Sequence, residues 1–296
     1  MAVKTGYKKR EVADLRARIK AHRAALRTHL PDAPLGDLRL VCGCSNCIDD
    51  DAYQALTTIP VPALTPRQVS FYFGGAGVMA PDTGAEARVE AFGIFLHVLD
   101  ALAEAVLAER EVEGSYRRAW DFVEPEYWHL PLYRSGFLED LTGPQRTQIA
   151  DFLVDCVELG IAKNLPRMDD ALVFLSLVTD RFGAVLEGIA KGPPRRQLAF
   201  WIAVAGWAPN SPAGKKNNGV KNFCNSFAFM EESARHALED ALADPEVEIL
   251  LDRYAFAAKD REWLGFLSRL VAWRENTVAL NAANRVNPPG WIRAPL

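Results

Sequence analysis

The sharpest chemical pattern in the sequence is a group of three cysteines, Cys42, Cys44 and Cys47, spaced CxCxxC around a glycine and a Ser-Asn turn. Thiolates at this spacing can bind one soft metal ion, and a closed zinc site needs four ligands. Cys224 is the predicted fourth ligand, with Cys156 and the five histidines as alternatives. Two other interpretations stay open: reduced cysteines packed as small apolar side chains, or a redox pair of Cys44 and Cys47.

The second pattern is a basic arm, defined as residues 1–30. It holds nine Lys or Arg against two carboxylates, a formal charge of +7, which leaves −11 for the rest of the chain. Such an arm can contact phosphates and bind nucleic acid. The alternative is a helix face that docks on the acidic body of its own chain. The candidate polyanion-binding residues are Lys8, Lys9, Arg10, Arg16 and Lys20, joined by Lys215 and Lys216 of a polar loop that lacks the Walker spacing.

Two groups of histidine and carboxylate residues offer a metal or acid–base site. The first is Glu124, Glu126 and His129 in a tryptophan-containing loop, and the second is Glu232, His236 and Asp240 at helical spacing. Each group also has a structural interpretation, as a loop anchored by its aromatic rings or as a helical side-chain cluster. His97 lies in an apolar run, which favours a core histidine. The HExxH, GxSxG and GxGxxG signatures are absent.

The elements that must position these residues belong to a globular chain. It has 296 residues, of which 49% are hydrophobic and 24% charged, enough for one large or two small domains with a substantial core. No apolar h-region follows the basic N-terminus, and no run of about 18 apolar residues occurs. We therefore expect no secretory signal, no membrane-spanning helix and no membrane partner. An odd number of cysteines does not suit a secreted disulfide framework, which favours the cytoplasm.

Hydrophobic periodicity predicts helices along almost the whole chain. Two of them begin with a threonine cap and a proline, at Thr65-Pro66 and at Thr142-Gly143-Pro144. No segment alternates as a β-strand does. We therefore predict an all-α fold: an antiparallel multi-helix array, with a degenerate α-solenoid as a variant, and a short irregular Cys-rich segment. The predicted helices span residues 9–29, 49–57, 65–73, 84–110, 115–123, 144–160, 169–190, 194–206, 222–243, 245–258 and 259–283.

Four segments follow from this pattern. They are a basic amphipathic helix at 1–30, a Cys-containing linker at 31–62, a helical body at 63–286 and a tail at 287–296.

The order of several motifs resembles a group of uncharacterised bacterial helical proteins. The likeness covers residues 40–275 and rests on the CxCxxC segment, Leu64 to Val69 with Tyr72, Phe92 to Ala105, Leu141 to Leu153, and Ala243 to Ala258. The glycine-rich break from Gly74 to Pro81 departs from the group's pattern. The resemblance implies an all-helical fold and a bacterial origin, and it implies no mechanism.

These patterns favour a non-enzymatic helical scaffold that binds another protein in a bacterial cytoplasm. Seven tryptophans and fifteen phenylalanines supply aromatic anchors for such an interface. One alternative is a metal-dependent enzyme that uses zinc at the cysteine cluster or a His/Glu site. A second alternative is nucleic-acid binding through the basic arm.

Overall fold

A computed structural model describes residues 6–40, 48–65, 84–108, 135–163, 175–205, 230–259 and 261–286, and the single positions 68, 69, 72 and 172. Within these residues the regular structure is helical and no β-strand occurs, which confirms the predicted all-α class. The Cys-rich segment lies outside them. They divide into two compact units: unit 1 holds residues up to 15 and from 157 onward, and unit 2 holds residues 16–156. The segment boundaries at 30, 62 and 286 stay predictions.

Unit 2 is built from helices of very different lengths. The helices are α1 (Lys9–Arg27, from residue 16 on), α2 (Asp50–Thr58), α3 (Ala85–Ala108) and α4 (Gly143–Lys163, up to residue 156), with short 3-10 helices at Val61–Ala63 and Phe137–Asp140.

Local capping explains where several of these helices begin. Thr142 and Gln145 form a reciprocal capping box, in which the Gln145 side chain accepts from Thr142 N at 2.9 Å and Thr142 Oγ1 accepts from Gln145 N at 3.4 Å. Thr65 and Gln68 form the same pair. Both caps stand where the sequence predicted them. Asp49 caps α2 by accepting from two backbone N–H groups.

The core of unit 2 surrounds α3. The Phe95 and Phe137 rings lie 5.1 Å apart, centroid to centroid, and both are fully buried. Val89 is an apolar residue of this helix, but it is 56% exposed. It lies one turn after the exposed Glu86, on the face that the first turns of α3 present to solvent.

Among the described residues, α3 is the one helix long and apolar enough to cross a membrane by length and composition alone. In this protein 69% of its apolar window is buried. A core helix of a folded domain passes the same test, so this is weak evidence for a membrane span.

Unit 1 is a cluster of C-terminal helices with residues 6–15 and the end of α4. Its helices are α5 (Phe182–Ala190), α6 (Pro194–Val204), α7 (Glu232–Ala243), α8 (Pro245–Phe256) and α9 (Arg261–Val286). Helix α7 contacts α5, α8 and α9, and α6 contacts α5 and α8. Residues 198–204 of α6 are buried on every side, as expected of the central helix of a bundle.

One predicted helix of this unit is interrupted. The sequence favoured a single helix over 169–190, whereas the chain leaves helical geometry at residues 179–181 before α5 begins. The Thr179 hydroxyl accepts from Arg181 N at 3.1 Å. Such a local side-chain bond offers the backbone an alternative to the helical ladder, which explains the break.

Candidate functional site

The predicted zinc ligands cannot be placed. Cys42, Cys44, Cys47 and Cys224 lie outside the described residues, as do Lys215 and Lys216 and the loop that contains Glu124, Glu126 and His129. Within the described part of the chain, no three His, Cys, Asp or Glu side chains converge on a metal position. The zinc site stays a prediction.

The alternative ligand Cys156 occupies a core position in α4. Its side chain is fully buried, and burial raises the pKa of the thiol well above its ordinary value. The thiolate is the form of cysteine that binds a metal ion, so a protonated and enclosed thiol is a poor ligand. Cys156 instead packs as a small apolar side chain.

The chain before the cysteine segment is tied to α3. Arg39 N and Leu40 N donate to the Glu90 carboxylate at 2.6 and 3.3 Å, and the Tyr72 hydroxyl donates to it at 2.6 Å. Leu40 is buried, as is Ile48 at the far end of the segment. The two residues that flank the cysteine segment are therefore both fixed in unit 2.

Glu90 is a buried carboxyl with three hydrogen-bond donors around it. Burial raises its pKa, and the hydrogen bonds from Tyr72, Arg39 and Leu40 oppose that rise. Burial also raises the pKa of Tyr72 well above its ordinary value, so Tyr72 stays a neutral donor. With its oxygens directed at these donors, Glu90 anchors the backbone of residues 39 and 40.

Glu90 begins a polar seam on α3, which we define as Glu90, His97, Asp100 and Glu104. Their spacing of seven, three and four residues places them along one side of an otherwise apolar helix. His97 Nε2 hydrogen-bonds to the carbonyl of Val61, and burial lowers the pKa of the imidazole. His97 is therefore neutral and donates to that carbonyl, which confirms the expectation of a satisfied core histidine.

The far end of the polar seam binds the arginines of α1. Arg23 donates to both oxygens of Asp100 at 2.7 and 2.9 Å and to Glu104 at 3.3 Å, and Arg27 donates to Asp100 at 3.1 Å. The hydrogen bonds to Asp100 raise the pKa of Arg23. A forked guanidinium on a carboxylate is among the strongest polar contacts in proteins.

Two more arginines of α1 contact other residues of unit 2. Arg18 makes a two-pronged contact with Asp155, with N–O distances of 2.7 to 3.1 Å, and Arg16 donates to the carbonyl of Leu107 at 2.8 Å. The predicted polyanion-binding role of Arg16 stays a prediction. Arg18, like Arg23 and Arg27, docks on an acidic residue of its own chain, as the alternative interpretation expected.

The other predicted polyanion-binding residues of the arm remain at the surface. Lys8, Lys9, Arg10 and Lys20 are all exposed. Arg10 approaches Asp14 at only 3.9 Å, between two side chains that are largely solvated. A pair of this kind contributes little stability and opens readily.

A clasp in unit 1 joins the start of the arm to α6. The Arg196 guanidinium lies 4.1 Å from the centroid of the Tyr7 ring and donates to the Glu11 carboxylate. Burial raises the pKa of Tyr7 to about 12. The hydrogen bonds from Lys8 N and Arg196 lower the pKa of Glu11. Tyr7 is thus a neutral ring and Glu11 a carboxylate, and both face Arg196.

The carboxylates of the predicted His236 group lie near arginines. Arg285 lies 2.8 Å from Asp240 and donates to the neighbouring Glu239 at 2.9 Å, and it also donates to the His236 carbonyl. Glu232 approaches Arg235 at 3.9 Å. The metal and helical-cluster interpretations of this group both stay predictions.

On the surface of unit 1, one side of α8 carries two exposed apolar side chains, with the exposed Asp252 and Arg253 between them; we call this side the apolar face of α8. Phe256, the last residue of this helix, is 96% exposed, and Ile249, seven residues earlier on the same side, is 47% exposed. The sequence predicted a helix over 245–258 and did not show that these two residues point away from the core. Ile249 and Phe256 are seven residues apart and lie on a different side of the helix from the buried Val247, Leu250 and Leu251. This difference in helical phase is the sequence signal that could have shown their exposure.

Comparison of the chain with protein-family models, with curated proteins and with solved structures gave no match. The resemblance to the CxCxxC group of bacterial proteins therefore stays a prediction, as do the bacterial origin and the cytoplasmic location.

Proposed function

We propose that the protein is a non-enzymatic helical scaffold that binds a different protein through the apolar face of α8, with Phe256 as the anchor. The exposure of Phe256 carries the proposal. A phenylalanine side chain gains about 1.5–3 kcal/mol when it leaves water, so leaving it fully exposed sacrifices that stabilisation in the unbound chain.

The shape around Phe256 favours a partner with a pocket. Phe256 ends α8, and its neighbours one turn earlier on the same side are the charged, exposed Asp252 and Arg253, so it is the one large apolar side chain at this end of the helix. Ile249 lies about 10 Å away along the helix and extends the apolar contact. A single protruding aromatic ring is typical of an interface hot spot that fills a concavity on the partner.

The ionisable groups of unit 2 support the non-enzymatic part of the proposal. Glu90 accepts backbone and tyrosine hydrogen bonds, His97 is bound to a carbonyl, and Asp100 is bound to two arginines. Each of these contacts holds one chain segment against another. Side chains whose hydrogen bonds are already made within the protein suit a structural role better than the role of a catalytic acid or base, which must exchange protons with a substrate.

Photo-crosslinking from position 256 in the native host tests the proposal. A photoreactive phenylalanine analogue replaces Phe256, and the matched control carries it at Val89, an exposed apolar position in unit 2. We expect one adduct with a different protein from position 256 and none from position 89, because a docked ring lies within contact distance of its pocket.

Three outcomes would contradict the proposal. They are the absence of an adduct at position 256, the same adducts from both positions, and an adduct only between two copies of this chain. Catalytic turnover of a small molecule by the purified chain would contradict the proposal that the protein is not an enzyme.

A further inference from the structure

A second surface of unit 1 combines cations from two separate chain segments. Gly6 has a left-handed φ of 80°, and a Cβ atom there would lie 3.2 Å from the Cβ atom of Arg195. The clasp of Tyr7 and Glu11 on Arg196 holds the same two segments together. The exposed residues around this junction are Lys8, Lys9, Arg10 and Arg195, which we call the basic patch.

The charges of the basic patch are only partly neutralised by the protein. Glu11 pairs with Arg196 of the clasp and also interacts electrostatically with Lys8. Asp14 offers Arg10 only a solvated contact at 3.9 Å. Within the described residues the structure shows no ion pair for the side chains of Lys9 and Arg195. The patch therefore presents more positive than negative charge to solvent.

The position of these cations does not serve helix stability. Lys9 and Arg10 lie in the first turn of α1, and Arg195 lies in the first turn of α6, which contains no acidic residue. The helix dipole disfavours cations at this end of a helix. An external anion would relieve that repulsion at both helices at once.

The basic patch contains no apolar side chains, and this limits which kind of anionic molecule it can bind. None of the large exposed hydrophobic side chains of the described residues belongs to the basic patch, and Tyr7 is covered by Arg196. Insertion into a lipid interface requires apolar side chains that enter it, and surface charge alone would hold an anionic membrane by only about 1 kcal/mol per cation. Exposed lysines and arginines alone match a phosphodiester backbone, which is recognised through its charge.

We propose that the basic patch binds the phosphate backbone of duplex nucleic acid without sequence preference. This inference is independent of the α8 face and of the protein partner proposed for it. It assigns Arg195, which the sequence patterns did not single out, the same role as Lys8, Lys9 and Arg10.

Fluorescence anisotropy with the full chain and a labelled random-sequence duplex tests this proposal over a range of salt concentrations. With three or four phosphate contacts, the logarithm of the binding constant should fall with a slope of about −3 against the logarithm of salt. The variant with Lys9→Glu and Arg195→Glu should bind at least about tenfold more weakly and reduce that slope by about 2. Both side chains are exposed, and a circular dichroism melt checks that the variant folds.

The matched control carries Arg253→Glu and Lys259→Glu, the same charge change at two exposed positions of unit 1. Its affinity should stay within about twofold of the parent, because charges beyond a Debye length are screened. Three results would overturn the proposal: no salt-dependent binding, equal losses in the two double variants, or binding to phosphatidylserine vesicles with none to the duplex. A parent-like affinity of the Lys9→Glu, Arg195→Glu variant would overturn it as well.

Discussion

Asp100 shows how a charged residue is accommodated in the long, mostly buried helix α3. At residue scale, burial by itself would raise the pKa of this carboxyl, but the hydrogen bond and charge of Arg23 and the charge of Arg27 outweigh burial and lower it. The side chain is thus a carboxylate held between α3 and α1. It links the arm to unit 2 through charge rather than through apolar contact.

The replacement Asp100→Asn should destabilise the fold in a pH-dependent way. Because the folded pKa lies below the unfolded value of about 3.9, the contribution of Asp100 is fully present above that value and is lost as the pH falls through the folded pKa. The free energy of unfolding should drop by about 1.5–3 kcal/mol near neutral pH, since the partly exposed Arg23 and Arg27 lose a charged hydrogen-bond acceptor. Urea denaturation at neutral pH and at about pH 3.5 measures the difference, which should shrink at the lower pH.

Asp14→Asn is the control for that experiment, because Asp14 is exposed and only 3.9 Å from Arg10. It should change the free energy of unfolding by less than about 0.5 kcal/mol. Equal losses in the two variants, or a loss for Asp100→Asn that does not change with pH, would show that Asp100 is not held by its arginines.

The sequence predicted the residues of the polar seam only in part. His97 was expected to be a core histidine from its apolar neighbours, and this is confirmed. Asp100 and Glu104 were not among the predicted site residues. Their partners lie 73 to 81 residues away along the chain, and local periodicity carries no information about pairing over that distance.

At the scale of elements, local signals were the most informative. The Thr142 and Thr65 capping boxes stand as predicted, because the hydrogen bonds involved join residues three positions apart. The start of α6 at Pro194 also agrees with the predicted helix over 194–206. The prediction of one helix over 169–190 was wrong, because the competing bond from Thr179 has no strong sequence signal.

The junction of α7 and α8 depends on a buried side chain from α9. Arg274 donates to the carbonyls of Leu242, Ala243 and Asp244, and also to the Glu248 carboxylate at 2.9 Å. The last carbonyls of a helix have no partner within the helix. Arg274 supplies that partner, and it thereby ties three helices of unit 1 together.

The replacement Arg274→Lys tests whether the forked guanidinium is needed at this junction. Lysine keeps the charge but cannot reach several acceptors in one plane. We expect a loss of about 1–3 kcal/mol in the free energy of unfolding, because buried carbonyls are left without a donor. Chemical denaturation followed by circular dichroism measures it. The exposed Arg253→Lys should cost less than about 0.5 kcal/mol, and an equal cost for both would contradict the junction's dependence on Arg274.

At the scale of the whole molecule, the chain folds as two units whose residues interleave along the sequence. Residues 6–15 belong to unit 1 although the rest of α1 belongs to unit 2. The all-α class could be predicted, because every long segment has helical periodicity and none alternates. The assignment of α1 to two units could not, because membership depends on contacts between distant segments.

The two proposed binding surfaces differ in how far sequence reasoning could reach them. Lys8, Lys9 and Arg10 were identified by charge counting, whereas Arg195 joins them only through the folded contact at Gly6. Phe256 was read as one more apolar residue of a helix. Its role as an anchor depends on exposure, which requires the packing of α8 on α9 to be known.

The most direct test of the α8 face is the affinity of the crosslinked partner, purified and titrated calorimetrically against the full chain. An aromatic hot spot is worth about 2 kcal/mol or more, so Phe256→Ala should weaken binding by about 30-fold while Val89→Ala leaves it unchanged. Equal affinities of the parent and Phe256→Ala for that partner would contradict the account, since the exposed ring would then take no part in the interface.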